Sequence, residues 1–323
     1  LTEMMLALGL TDRMVGYTGV SDWKTLDERL RAGVAELPEL SPDYPTKEVL
    51  LGADADFYFA GWNYGMRVGG EVTPDSLGEF GIQVYELTES CIHVMARPKS
   101  TIEDMYADLL NLGRIFGKQE EAVALVEAYR AELADFTAGL PTLEAPVRVF
   151  VYDSGEDKPF TAGRYAIPTA LIEAAGGTNI MDDVDSSWVE IGWEPVIERN
   201  PEVIVIVNYG SVTAEQKIGF MKSNPAFKDI PAVVDDRFVV LEYVEATPGP
   251  RNIEAIKRLA AAFRVLALVL TALLEEARRA GALLSSISGA AMMAASGMAI
   301  LSRQHTRVPP SFRLPKSLRV ASP

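Results

Sequence analysis

The side chains best suited to gripping a ligand are aromatic and basic residues set just after short apolar runs. They are Trp62, Tyr64 and Arg67 in GWNYGMR, then Lys158, Arg164 and Tyr165 around DSGEDKPFTAGR, and further on Trp188, Tyr209, Tyr243 and Arg251. Aromatic rings offer large flat contact areas, and Arg or Lys can neutralise an anionic ligand with help from cation–π contact. The strongest candidate is DSGEDKPFTAGR, which follows the apolar run VRVFVY, is rich in turn formers, and sets Lys158 and Arg164 in one loop. For any single aromatic residue the competing role is core packing, and for any single Arg or Lys it is a solvated surface charge. Arg251 follows Pro250, where a helix can start, so capping or structural pairing competes with ligand contact there.

The same inventory argues against catalysis. The chain has no Walker sequence, no G-x-G-x-x-G, no H-E-x-x-H and no G-x-S-x-G. It has 2 histidines, His93 and His305, too few for a zinc or manganese site built from several imidazoles. His93 reads as a loop or core histidine and Cys91 as a small buried residue; no metal site of the protein's own is expected. The acidic pairs Asp182/Asp183 and Asp235/Asp236 read as solvated loop charges. A two-lobed α/β enzyme remains the alternative, since a fold alone does not fix a function. A net charge of −15 argues against a nucleic-acid-binding surface, which would need a basic footprint. With 1 cysteine, no intrachain disulfide can form.

Positioning these residues calls for an α/β framework. DFYFAG, GIQVYEL, VRVFVYDSG, EVIVIVNYG and RFVVLEY are short Val-, Ile-, Phe- and Tyr-rich runs, as expected of strands buried on both faces of a parallel sheet. Helical patterns such as PTALIEAAGG and NIEAIKRLAAAF alternate with them, which favours βαβ units. Residues 100–140 form the longest helical stretch, with Ser100 or Thr101 as cap, Glu103 and Asp104 in the first turn, and Gly113 and Gly117 able to bend or break it. A hydrophobic fraction of 48% is enough for a sizeable core.

One passage is written twice. EVLLGADADFYFAGWNYG begins at Glu48 and EPVIERNPEVIVIVNYG at Glu194; each opens with Glu, carries an acid eight positions on (Asp56, Glu202), runs into an apolar strand and ends in Asn-Tyr-Gly. One copy lies before the long helical stretch and one after it. The simplest architecture is two similar α/β lobes joined by a helical connector, each Glu opening a helix and each strand ending in a ligand-facing loop. Two such loops face to face make a cleft, and a stiff helical connector predicts little movement on ligand uptake.

In this order, TEMMLALGLTDRMVGYTG, STIEDMYADLLNLGRIFG, DSGEDKPFTAGR, LIEAAGGTNIM and WEPVIERNPEVIVI resemble the substrate-binding proteins of iron–siderophore, haem and cobalamin ABC importers, from Leu1 to about Arg264. The resemblance implies two Rossmann-like lobes of the class III type: an N-terminal lobe over 1–100, a connecting helical region over 101–140 and a C-terminal lobe over 141–264. It implies a binding protein rather than an enzyme, monomeric, extracytoplasmic (periplasmic or lipid-anchored), with no cofactor of its own. A ferric siderophore is the leading cargo, arriving already chelated, with haem or cobalamin as alternatives. It also implies a membrane permease as partner, with Glu48 and Glu194 docking onto permease arginines. Two carboxylates fixed on a rigid body suit two basic sockets, because charge-assisted pairs with Arg are strong and directional. The competing role for each Glu is a first-turn acid stabilised by the helix dipole.

Two departures stand out. The family's strand before the first helix is missing, as are an export signal and a lipid-anchor cysteine; the chain begins at Leu1 rather than Met, which suggests a fragment. The family also ends near residue 264, whereas here 265–323 follow as an atypical tail. Ala280–Ser302 is uncharged and long enough to span a bilayer, but rich in Ala, Ser and Gly, and a basic stretch expected to be disordered follows it. A membrane span, a loosely packed helix and sequence foreign to the domain all remain open for it.

Overall fold

The computed structural model describes residues 1–20, 32–35 and 37–265. The chain divides into two compact units, Leu1–Ala267 and Leu268–Pro323. The second unit, and with it the expected membrane-span candidate and basic stretch, lies outside the described residues. Among the described residues no helix is long and apolar enough to cross a membrane.

The first lobe runs α1 (Thr2–Ala7), β1 (Tyr17–Thr18), β2 (Glu39–Ser41), α2 (Lys47–Gly52), β3 (Phe57–Trp62), β4 (Gly65–Met66), α3 (Pro74–Gly78) and β5 (Gln83–Glu86). Strand β3 pairs in parallel with β5 from Phe57↔Gln83 to Ala60↔Glu86, and on its other side with β4 only at Gly61 and Trp62. Strands β1 and β2 form a separate parallel pair. Leu50, Ala60, Met66, Leu77 and Ile82 make a compact core under this sheet.

Strands β1 and β3 also turn backbone groups away from their ladders. In a parallel ladder, successive residues turn their backbone groups to opposite neighbours. The Asp56 and Ala60 carbonyls accept from Gln83 and Leu87 on the β5 side, so Phe57 and Phe59 turn theirs away from it. Tyr17 and Gly19 donate to Pro38 and Ser41 on the β2 side, so Thr18 faces the opposite way. Residues of both edges border one cavity.

The connector is two helices, α4 (Ile102–Phe116) and α5 (Gln119–Ala138), rather than one. The break falls at Gly117, whose φ of 71° is a left-handed cap that glycine adopts without strain. Gly113 lets the helices close on each other: a Cβ there would lie 2.5 Å from the Ala122 Cβ. Met105, Tyr106, Leu109, Leu112, Ala122 and Val126 form the buried seam, continuous with Met4, Met5 and Leu8 of α1.

The second lobe runs β6 (Val147–Tyr152), β7 (Phe160–Ala162), α6 (Ile167–Ala175), β8 (Gly177–Asn179), β9 (Trp188–Glu190), α7 (Glu194–Arg199), β10 (Val203–Asn208), α8 (Ala214–Ser223), α9 (Pro231–Val234) and β11 (Phe238–Glu242). Its sheet has the order β11-β10-β6-β8, all parallel, with β7 and β9 as a separate antiparallel pair. Val203 to Val207 are all buried, which is why that run is apolar at every position rather than at alternate ones. A further helix, α10 over 252–265, carries Ile253 into the core of α1 and the connector, so this helix ties the two lobes together.

Candidate functional site

The duplicated passages fold alike. In the first, the Thr46 hydroxyl caps α2 by accepting from the Val49 N–H at 3.4 Å, and Glu48 sits in the first turn. In the second, Glu194 opens α7. Six positions after each Glu comes a non-glycine residue in the left-handed region, Asp54 at φ 54° and Asn200 at φ 52°, turning the chain from helix to strand. Each strand is six residues long, β3 and β10, and each ends at Asn-Tyr-Gly. Both glutamates are exposed. The Glu48 carboxyl sits below its ordinary range because its own backbone N–H and the Thr46 hydroxyl stabilise the charge.

The loop after β3 and the chain after β11 meet at a cavity of about 490 Å³, whose walls come from both lobes, with the Tyr209 turn after β10 against Tyr243. Tyr17 and Thr18 of β1 and Phe57 to Phe59 of β3 are among the residues lining the cavity. The cleft between the lobes is lined by Tyr44, Tyr64 and Gly65 of the first and by Tyr243, Val244 and Thr247 of the second. The Arg67 guanidinium lies over the Tyr44 ring at 5.2 Å, and the Tyr44 hydroxyl donates to the Asn63 carbonyl. Tyr209 and Tyr243 are in ring contact at 5.0 Å.

Burial raises the phenol pKa of Tyr44, Tyr209 and Tyr243. Tyr44 is pushed further by Tyr209 and relieved by Arg67, so residues of the two lobes act on each other across the cleft. The tyrosines therefore present neutral hydroxyls, donors and acceptors both, beside the Arg67 guanidinium.

Behind the wall sit two buried polar groups. Tyr64 accepts the Trp188 indole N–H at 2.8 Å, and its hydroxyl donates to Glu89 at 3.3 Å. Lys217, 2% exposed, donates to the Val207 and Tyr209 carbonyls at 2.7 and 3.1 Å and so holds the Tyr209 turn from beneath. Burial lowers the Lys217 pKa, and Asp153 partly restores it.

Of the residues singled out in the sequence, the structure gathers Tyr64, Arg67, Tyr209 and Tyr243 around the cleft, with Trp188 one hydrogen bond behind. Trp62 ends β3, its indole N–H on Glu86 at 2.8 Å and its ring near His93 at 5.7 Å. The basic residues are arranged differently from the expectation. Lys158 and Arg164 do not share one loop, because β7 lies between them. Lys158 is exposed; Arg164 pairs with Asp185 at 2.9 Å and donates to the Asp182 carbonyl at 3.1 Å, beside a separate depression of about 220 Å³. Tyr165 is buried and donates to Asp185 at 3.3 Å. Arg251 grips the Glu3 carboxylate at 2.6–3.1 Å, which realises the structural pairing that competed with a ligand role. Cys91 is half-buried rather than buried. Among the described residues no group of His, Cys, Asp and Glu could hold a metal ion.

Tyr44, Glu89 and Lys217 were not legible as site residues. Tyr44 lies in a turn, SPDYP, with no apolar run before it; Glu89 and Lys217 are buried charges, which sequence position alone does not reveal.

Residues 1–244 match the family model described as periplasmic binding protein. The fold is similar to a periplasmic binding protein from Veillonella parvula, at 32% identity and a TM-score of 0.72, covering 81% of this chain and 88% of that one. A periplasmic heme-binding protein from Roseiflexus sp. shares the fold at 20% identity and a TM-score of 0.60, covering 82% and 95%. Over 265 residues the chain is 24% identical to the cobalamin-binding protein of Halobacterium salinarum, covering 81% of this chain and 66% of that relative's length. The two lobes, the helical connector and the family match agree: this chain belongs to the periplasmic binding protein family.

Proposed function

We propose that the protein is the extracytoplasmic solute-binding component of an ABC importer, and that its cleft takes a large metal chelate of low net charge, a corrinoid of the cobalamin kind. The observation that carries the cargo class is the charge balance at the cleft. Tyr44, Tyr64 and Tyr243 line the cavity from both lobes, its wall carries Arg13 but also Asp12, Asp54 and Asp56, and Arg67 lies over Tyr44, while Arg164 and Arg251 are engaged by Asp185 and Glu3. A polyanionic ferric catecholate, or a haem with two propionates, calls for several free cations to offset its desolvation. A corrinoid calls instead for flat aromatic contact and neutral hydrogen-bonding groups for its amide rim, which tyrosines and loop backbone supply. The name of the Halobacterium relative supports the same class. A ferric siderophore is the second reading, favoured by the Arg67–Tyr44 pair, which suits a chelate with little negative charge. The exposed first-turn positions of Glu48 and Glu194 support their reading as permease-docking points.

The test is a tryptophan-quenching titration with cyanocobalamin, haem, a ferric catecholate and a ferric hydroxamate at one ionic strength. Saturable one-to-one binding tightest for cyanocobalamin is expected. Tight binding of the ferric catecholate with none of cyanocobalamin overturns the cargo class.

A further inference from the structure

The cleft wall rests on a carboxyl that ligand contact does not use. Glu89 lies in the short 3-10 turn Thr88–His93 of the first lobe and is 2% exposed. One of its oxygens, Oε1, receives three donors: the Tyr64 hydroxyl at 3.3 Å, the Ser187 hydroxyl at 3.2 Å and the Ile167 N–H at 3.3 Å. Tyr64 belongs to the first lobe; Ser187 and Ile167 belong to the second. Trp188, next to Ser187, holds the same Tyr64 hydroxyl. The other oxygen, Oε2, is buried without a hydrogen-bond partner.

We propose that Glu89 is a positioning residue that clasps the two lobes behind the cleft and fixes Tyr64, and with it the first-lobe wall, at the geometry the ligand meets. This rests on the reading of the cleft as the ligand site. The convergence of donors from both lobes on one oxygen makes the clasp; the bare second oxygen makes it sensitive to charge. An ionised carboxylate buried with one oxygen unsatisfied is costly, and a neutral acid much less so. Burial accordingly pushes the Glu89 pKa up to about 8, with Asp104 adding to the rise and Ser187, the Ile167 N–H and Tyr64 opposing it. The titratable groups acting on it are Asp104 at the start of α4, Tyr64 on the β3–β4 turn and Tyr243 on the loop after β11. At neutral pH the clasp is closed by an uncharged acid. Above about pH 8 a negative charge enters the seam beside these groups and loosens the wall.

The experiment compares wild type with Glu89→Gln from pH 6.5 to 9.5 by two readouts. One is affinity for cyanocobalamin. The other needs no ligand: amide hydrogen exchange of peptides covering 61–67 and 185–190, taken as the ratio of variant to wild type at each pH. The ratio is expected near one at pH 6.5, with the wild type exchanging about tenfold faster than the variant at pH 9.5, following the linkage of one titrating group. Wild-type affinity is expected to fall over the same interval while that of the Gln variant stays flat. Identical pH profiles for the two proteins overturn the proposal. If Glu89→Gln does not fold, Ser187→Ala decides. Removing one donor to the carboxylate should move the transition to higher pH, and an unmoved transition rejects the clasp. If cyanocobalamin does not bind at any pH, the cargo reading fails while the exchange ratios still decide the role of Glu89.

Discussion

Asp108→Asn is expected to stabilise the protein at pH 8 and destabilise it, or leave it unchanged, near pH 4. Asp108 projects from α4 and is 1% exposed. Its Oδ1 accepts from the Tyr85 hydroxyl at 2.9 Å, the Thr88 N–H at 2.9 Å and the Thr88 hydroxyl at 2.6 Å, while Oδ2 is buried without a hydrogen-bond partner. Burial outweighs those three donors and moves the carboxyl from 3.8 to about 6. A group with its folded pKa raised binds more protons in the fold than in the unfolded chain. Stability therefore declines as pH rises from about 4 to about 6 and is level beyond. The full penalty above that window is about 3 kcal/mol, at 1.36 kcal/mol per pKa unit. Asn keeps the Oδ1 acceptor but leaves an amide nitrogen at the bare position, which returns about 1–2 kcal/mol. The net gain at pH 8 is then about 1–2 kcal/mol. Urea unfolding at half-unit steps from pH 4 to 8 measures it. The wild type should lose stability over the lower window while the variant keeps only the slope that Glu89 contributes up to about pH 8. A variant less stable than wild type at pH 8, or one with an unchanged slope between pH 4 and 6, refutes the reasoning and makes the ionised carboxylate a net stabiliser.

Three further outcomes follow from the site. Lys217→Met removes two charge-assisted bonds beneath the Tyr209 turn, so ligand affinity should fall about tenfold, in line with about 1.5–3 kcal/mol for such contacts; unchanged affinity places Tyr209 outside the site. Replacing Lys158 and Arg164 together with Gln should change affinity less than about twofold, since a solvated charge and a surface pair contribute little; a loss beyond about tenfold returns them to the cleft. Changing both Glu48 and Glu194 to Lys should leave binding intact and abolish uptake through the matching permease. A like charge at each docking point costs several kcal/mol, and normal uptake by that double variant removes the docking assignment.

How much of this was legible in the sequence depended on the range of the physics involved. The duplicated passage predicted a helix opening at each Glu, a strand after it and a loop at the strand end, because caps, turns and apolar runs are local. Both copies folded that way; the left-handed residue that each shares, Asp54 and Asn200, was not foreseen. The connector was legible as helical, and Gly117 was marked as a possible break; that it stops one helix and lets a second begin was decided by packing of Gly113 on Ala122. The charges were not legible. Arg251 meets Glu3 across 248 positions, and Arg164 meets Asp185 beyond an intervening helix and strand, so a basic residue on a plausible loop looked free when it was already paired. Glu89 and Lys217 escaped notice for the same reason: their roles come from partners brought together only by the fold.

The most direct measurement of the central claim is amide hydrogen exchange with and without saturating cyanocobalamin, mapped along the chain. The account predicts protection that appears together in both lobes, around residues 44, 63–67, 208–210 and 243–247, and none around 158 or 182–185. Protection confined to one lobe, or centred on the Arg164 depression, contradicts a ligand held between tyrosine-lined walls.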